Sequence, residues 1–405
     1  MTRFLVLLSG LIICYFCYGI YVSQASLDIF PVEIEREHPP GYYDYRGAIN
    51  VQTNLSLGLA SPDKVIEEAR LAGLDFLILT DVNQFETAEP YNGYYGNLLV
   101  MSESEFSFLD SRVLYIGEQP GKRFDNSAEA NLFLTDLLSQ STTQSRDGIA
   151  ILAHPFNQGR ASWTGAYPPG LHGLEILNSK SISSNVWRTS KLEVFWSLVI
   201  YPFNSKYSFL RLFREPADET ALWDKLNQEH DVRGFSGADA NARALPLANY
   251  LVHFPTYQKS LELTSNHILL SSELTGHFQK DRQKILNALR NGNLYFSLDL
   301  LGDPKGFNAL LLDRDKTHLM GSKTVFRKGM RIEAKLAQIP QAFYEIILWK
   351  DGEKIQLSND PQLIHEVTEP GVYRIQVRVS PMFPIPDGKK WISWIYTNPF
   401  FILKK

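Results

Sequence analysis

The chain has 405 residues, 44% apolar and 21% charged, so it carries ample core material and is neither a disordered nor a fibrous polymer. With 40 Lys and Arg against 44 Asp and Glu, its net charge of -4 removes the electrostatic case for a nucleic-acid partner. Both cysteines, Cys14 and Cys17, fall in an apolar N-terminal run, which excludes disulfides, thiolate metal sites and a cysteine nucleophile elsewhere.

That run, residues 4–22, is uncharged and close to the ~20 residues needed to cross a bilayer as a helix. Two readings stay open for residues 1–25. Ser23-Gln24-Ala25 is a small-x-small site that permits signal-peptide cleavage after Ala25, leaving a periplasmic or secreted body. The length of the run favours an uncleaved anchor, which leaves the exported body tethered to the membrane. Cys14 follows Leu11-Ile12-Ile13, without the small residues of a lipoprotein signal. Residues 26–45 are polar and contain prolines, the composition of a linker.

An alternating strand and helix pattern begins at Arg46. Ala48–Thr53 reads as a strand, and Ser61 caps a helix over Asp63–Ala72 with Pro62 at its first position and Gly73 at its end. Further strands are expected at Leu74–Thr80, Asn97–Phe106, Arg112–Gly117, Gly148–Ala153, Gly173–Leu177 and Val232–Gly237. Helices are expected over Ala128–Ser139, around Glu219–Glu229, and over Asp281–Asn291. A polar residue recurs at the C-terminal end of these strands: Asp81, Glu105, His154, Asn178 and Asp239. Barrels of alternating strands and helices build their sites at that end.

The aromatic stretch Val186–Phe213 reads as an outer helix whose aromatics pack inward, with a lid or a membrane-resting amphipathic helix as the alternatives. His172, His253, His267 and His277 lack metal-ligand spacing and read as surface or packing residues, and the sequon Asn54-Leu55-Ser56 reads as a chance match. From residue 306 to 405 the pattern turns to short strands, with an Asp351-Gly352 hairpin turn, as in a small all-β sandwich.

The order RGxxxxxT from Arg46, LTD at 79–81, ESEFS at 103–107, AHP at 153–155, LEILN at 174–178 and GADAN at 237–241 resembles the polymerase and histidinol phosphatase (PHP) superfamily. It is most similar to exported members with a C-terminal β-domain. The resemblance implies a distorted (β/α)7 barrel over residues 46–305 whose strand ends hold up to three divalent metals for hydrolysis. Carried over residue by residue, the paired histidines of the first strand fall on Asn50 and Gln52, and a loop ligand falls near Leu57. The histidine of the TDH motif becomes Val82, another becomes Arg112, and the last becomes Asn241. Glu105 (Glu103 in the alternative register), His154 and Asp239 remain as ligands, with Asp81 beside them.

Three ligands suffice for one open catalytic metal, so Glu105, His154 and Asp239 allow a mononuclear site for zinc or manganese but nothing larger. In that case Asp81 and Arg112 are the catalytic candidates, and Asn178 lines the pocket. Alternatively Arg112 and Arg243 replace the metal's charge and keep Glu105 and Asp239 ionised. Amides are poor ligands for transition metals, so the losses favour a non-catalytic module at the cell envelope, binding a small molecule or an envelope protein, without a metal. The competing reading is a mononuclear phosphoesterase.

Overall fold

The computed structural model describes residues 2–30, 38–39, 41–82, 89–108, 111–117, 127–139, 148–156, 163, 167–178, 186–241, 244–247, 250–253, 255–314 and 316–404. Helix α1 (Thr2–Ser23) leads to β1 (Tyr43–Val51), α2 (Pro62–Leu71) and β2 (Phe76–Val82). Helix α2 starts as its sequence demands. The Ser61 side chain accepts from Lys64 N, Pro62 sits at the first position, and Asp63 occupies the first turn. Its buried residues Val65, Ile66 and Ala69 share one cluster with Leu77, Leu79 and Val100.

Next come β3 (Gly93–Tyr95), β4 (Leu98–Phe108), β5 (Ser111–Ile116), α3 (Ser127–Ser139), β6 (Ile149–Leu152) and β7 (Gly173–Asn178). Helices α4 (Lys191–Ile200), α5 (Ser205–Leu212) and α6 (Ala217–Leu226) precede β8 (Arg233–Gly237). The pair β9 (Ala244–Leu247) and β10 (Tyr250–His253) forms its own ribbon. Then follow α7 (Tyr257–Leu261), β11 (Ser265–Leu270), α8 (Phe278–Asn291) and β12 (Leu294–Ser297).

The large sheet is mixed. Strands β1, β2 and β4 run parallel, as do β6, β7 and β8, and β5 lies antiparallel between β4 and β6. The C-terminal ends of β1, β2, β4, β6, β7 and β8 therefore lie on one side of the sheet. Beyond β8 the chain returns to β1: Ala238 N donates to Ile49 O at 3.0 Å, and Gln52 N donates to Ala240 O at 3.0 Å. On its other edge β1 pairs antiparallel with β11, and β11 with β12.

The C-terminal strands are β13 (Asn308–Asp313), β14 (Lys316–Leu319), β15 (Lys323–Val325), β16 (Arg331–Lys335), β17 (Phe343–Lys350) and β18 (Glu353–Ser358). They end with β19 (Gln362–Glu366), β20 (Gly371–Ser380), β21 (Ile392–Thr397) and β22 (Phe400–Leu403). Strands β14, β13, β16 and β19 form a separate four-stranded sheet, while β21 pairs with β12 and carries β20, β22 and β15 into the large sheet. The large sheet thus continues across the boundary expected near residue 305. Ala309, Leu311, Ile332 and Ala334 of the smaller sheet share a core with Ile346, Leu348, Ile375 and Val377 of the large one. Arg374 of β20 also clamps α6, its Nε and Nη2 donating to both oxygens of Asp224 at 2.7 and 2.6 Å.

Four features depart from the sequence reading. Strand β1 begins at Tyr43, five residues early, because Asp44 is consumed in a buried network that hydropathy does not register. The segment read as a linker is anchored where it is described: Leu27 and Ile29 are buried, and Ile29 N donates to Leu301 O at 3.1 Å. The aromatics of Val186–Phe213 do not simply pack inward. Trp196 and Phe203 meet Tyr18 and Tyr15 of α1 at ring distances of 5.5 and 5.1 Å, while Trp187 and Phe195 are exposed. Of the histidines read as surface or packing residues, His267 is a buried charge partner: its Nδ1 lies 2.9 Å from Asp44 Oδ1.

Candidate functional site

The end of β1 organises the strand-end region. Asn50 Nδ2 donates to Glu175 Oε1 at 2.7 Å, and Gln52 Nε2 donates to Glu105 Oε2. Thr53 holds Asp81 twice, through its backbone N to Oδ1 at 2.7 Å and its hydroxyl to Oδ2 at 2.8 Å. Ser56 Oγ adds a bond to Asp81 Oδ1 at 2.6 Å. Residues 50–56 therefore supply donors to three buried carboxylates on β2, β4 and β7. A buried carboxylate without such partners would cost several kcal/mol, so these donors are what lets the acids stay inside.

Glu175 is the most heavily partnered. It also accepts from His154 N at 2.8 Å and from Asn178 Nδ2 at 2.9 Å, and Asn178 Nδ2 reaches Asp239 Oδ2 at 3.4 Å. Regular strand alternation would put Glu175 and Asn178 on opposite faces, but the β7–β8 register shifts between Glu175 and Leu177 and re-aims them together. Gly237 makes the room: a Cβ there would sit 1.7 Å from Glu175 Oε1. Burial pushes the Glu175 carboxyl above the ordinary carboxylate range; His154 and the Asn50 amide oppose this, Asp239 adds to it, and Asn178 opposes it.

Three site residues have left-handed backbone: Asn50 at φ +60°, His154 at +31° and Asp239 at +44°. Such conformations cost about 1–3 kcal/mol each outside glycine and cluster where a site dictates the backbone. All three lie at or just beyond the ends of β1, β6 and β8, and hydrogen bonds through Glu175 and Asn178 connect them.

Glu105 is buried on β4. Arg112 Nε lies 3.9 Å from Glu105 Oε1, at the outer edge of an ion pair. Glu103, the alternative register, is occupied elsewhere: Arg282 Nη2 donates to its Oε1 at 2.9 Å and Gly117 N to its Oε2 at 2.9 Å. Val82 is half-buried opposite Glu105 in the β2–β4 register, Asn241 is buried beyond Asp239, and Leu57 is exposed. Arg243 lies outside the described residues.

The donor set does not suit a cluster of metals. Among the described residues no group of three or more His, Cys, Asp or Glu is placed to hold a metal ion. The chemistry explains it, because a cation would have to displace the amide, hydroxyl and backbone donors already on Asp81, Glu105 and Glu175. What the region offers instead are buried atoms without partners: Asn50 Oδ1, Gln52 Oε1 and His154 Nδ1.

Sequence reasoning missed Glu175, Thr53 and Ser56. A lone acid inside a six-residue strand that is apolar up to its closing Asn178 was the signal for Glu175, since every residue of β7 is buried. Ser56, part of the chance sequon, turns out to hold Asp81.

No protein-family model matches the chain, and no curated protein matches it. Among solved structures it is similar to a two-domain protein from Bacteroides vulgatus ATCC 8482 containing a predicted PHP-like metal-dependent phosphoesterase. The two share 13% identity over 89% of this chain and 98% of that one, with a TM-score of 0.39. A second similar structure is a proposed metal-dependent phosphoesterase from Bifidobacterium adolescentis ATCC 15703, 14% identical over 56% of this chain and 97% of that one, with a TM-score of 0.29. Likeness of this order leaves the activity to be argued from the site itself.

Proposed function

We propose that the chain is a PHP-like (β/α)7 barrel with a C-terminal β-sandwich and a degenerate metal site, serving as a non-catalytic ligand-binding or scaffold module at the cell envelope. The return of the chain to β1 after β8 supports the barrel, and the shared core of the two C-terminal sheets supports the sandwich. One observation carries the functional reading. Residues 50–56 hand hydrogen-bond donors to Glu175, Glu105 and Asp81, so neutral groups of the protein already occupy the carboxylate oxygens that metals would otherwise take. A ligand of this pocket would be a small, donor-rich molecule meeting Asn50 Oδ1, Gln52 Oε1 and His154 Nδ1.

A second reading rests on His154. Its Nδ1 is buried and unpartnered, as a metal-binding imidazole nitrogen would be, which favours a single-metal hydrolase using Glu105, His154 and Asp239. Elemental analysis of the purified protein, with melting curves in added zinc or manganese, separates the two. The module reading expects no stoichiometric metal and no thermal shift, since a ligand of the folded state must raise the melting temperature. Stoichiometric metal, together with turnover of an activated phosphoester that Glu105→Ala abolishes, would establish the hydrolase instead.

A further inference from the structure

Helix α1 is the one described helix long and apolar enough to cross a membrane, with 21 residues from Arg3 to Ser23 meeting that test. Yet its C-terminal part is bound to the body of the protein. Tyr15 Oη donates to Val199 O at 3.1 Å, Tyr18 Oη to Ile385 O at 2.8 Å, and Asn204 Nδ2 to Val22 O and Ala25 O, each at 3.1 Å. Phe203 lies so close that a Cβ on Gly19 would be 2.4 Å from its ring. The free part, residues 2–14, would span only about 20 Å at 1.5 Å per residue, about 10 Å short of a bilayer's hydrocarbon core.

The surface beside the docked part makes up that shortfall. Helix α4 exposes Leu192, Phe195 and Leu198, spaced three apart along one face, and Trp187 is exposed just before it. In the segment that Tyr18 and Tyr21 of α1 hold, Met382 and Ile385 are exposed, and Ile385 N donates to Tyr21 Oη at 3.3 Å. Leu192 is 82% exposed and Ile385 73%, and each belongs to a segment held by α1, the first through Trp196 and Val199 of α4 and the second through Tyr18 and Tyr21. Arg188 and Lys191 are exposed at the start of the stripe, the flanking cations of an interfacial helix.

We propose that this collar lies in the headgroup and upper acyl layer of the membrane, with α1 retained as a span rather than removed after Ala25. An interfacial helix buries its apolar face by about 5–10 Å, which matches the missing length of α1. The body then sits on the bilayer at a fixed tilt instead of hanging from a flexible tether. The inference is independent of whether the strand-end pocket binds a metal.

The test uses the full chain reconstituted in phosphatidylcholine and phosphatidylglycerol vesicles, with nitroxide labels read for accessibility to oxygen and to a water-soluble nickel chelate. The two native cysteines, Cys14 and Cys17, report on α1 directly. In a Cys14→Ser, Cys17→Ser background, Phe195→Cys and Leu198→Cys report on the collar, and Glu229→Cys, at a side chain 83% exposed, reports on water. Both collar labels are expected to be severalfold more accessible to oxygen than to nickel, with the order reversed at 229. Nickel access at 195 and 198 equal to that at 229 would place the stripe in water and overturn the proposal. Protection from both reagents would overturn it in favour of a second protein copy covering the stripe, and a water-exposed label at Cys14 would remove the span on which it rests.

Discussion

Replacing His267 by Gln tests the buried charge network beneath β1. His267 on β11 is fully buried, with Nδ1 2.9 Å from Asp44 Oδ1, Nε2 3.8 Å from Asp299 Oδ1, and its ring stacked on Tyr295 at 4.6 Å. Burial alone would lower its pKa, but the Asp44 charge, with Asp299 behind it, raises it to about 10. Burial works against Asp44 in turn, and the His267 charge overcomes it, leaving that carboxylate below its ordinary range. Removing the cation leaves Asp44 with the Tyr295 hydroxyl at 2.6 Å and Gly306 N at 2.9 Å, and Asp299 with Arg46 and two serines. Breaking a buried pair costs about 3–5 kcal/mol, and these surviving donors put the expected loss at the lower end. The pH dependence fixes the cause. A raised histidine pKa gives stability that is complete below about 6.5 and is lost as pH rises through about 10. Urea denaturation of the detergent-solubilised chain at pH 6.5, 8 and 10 should therefore show the gap between wild type and His267→Gln closing with pH. A gap that is constant across that range, or under about 0.5 kcal/mol at pH 6.5, would refute the charged-histidine account.

Ser56→Ala removes one hydroxyl from the Asp81 carboxylate and should cost about 1.5–3 kcal/mol by urea denaturation, the worth of a hydrogen bond to a charged group. Asp224→Ala breaks the two-pronged clamp of Arg374, which also stacks over Trp349 at 4.8 Å, and should cost about 3–5 kcal/mol by the same assay. A loss below 1 kcal/mol would show that the clamp is solvated. Because the Glu175 carboxyl is raised above its ordinary value of 4.5, the folded state holds that proton more tightly, and stability should fall as pH rises past that value. Glu175→Gln should remove this slope; melting curves from pH 4.5 to 8 with the slope unchanged in the variant would exclude Glu175 as its source.

Local signals carried the parts of the fold that are local. Helix α2 is legible because its cap, its proline and its stop all lie within twelve residues of one another, from Ser61 to Gly73. The start of β1 is illegible because Tyr43, Asp44, Tyr45 and Arg46 look like a solvated segment, and what makes them strand is His267 and Asp299, more than 200 residues away. The placement of Asp81, Glu105, His154 and Asp239 is legible because β/α order puts the ends of β2, β4, β6 and β8 on one side of the sheet. Their partners are not. No periodicity announces that Asn50 points at Glu175, since that contact depends on a left-handed residue and on the register shift in β7.

The donor stretch at residues 50–56 also bears on how independently the three acids can move. Asn50, Gln52, Thr53 and Ser56 follow one another closely in the chain, yet the acids they hold lie on three different strands, β7, β4 and β2. A shift of this short stretch alters all of these contacts at once, so substitutions within it are expected to be non-additive. The end of β1 therefore acts as a common hinge point for three strand ends: whatever displaces it is felt at Asp81, Glu105 and Glu175 together.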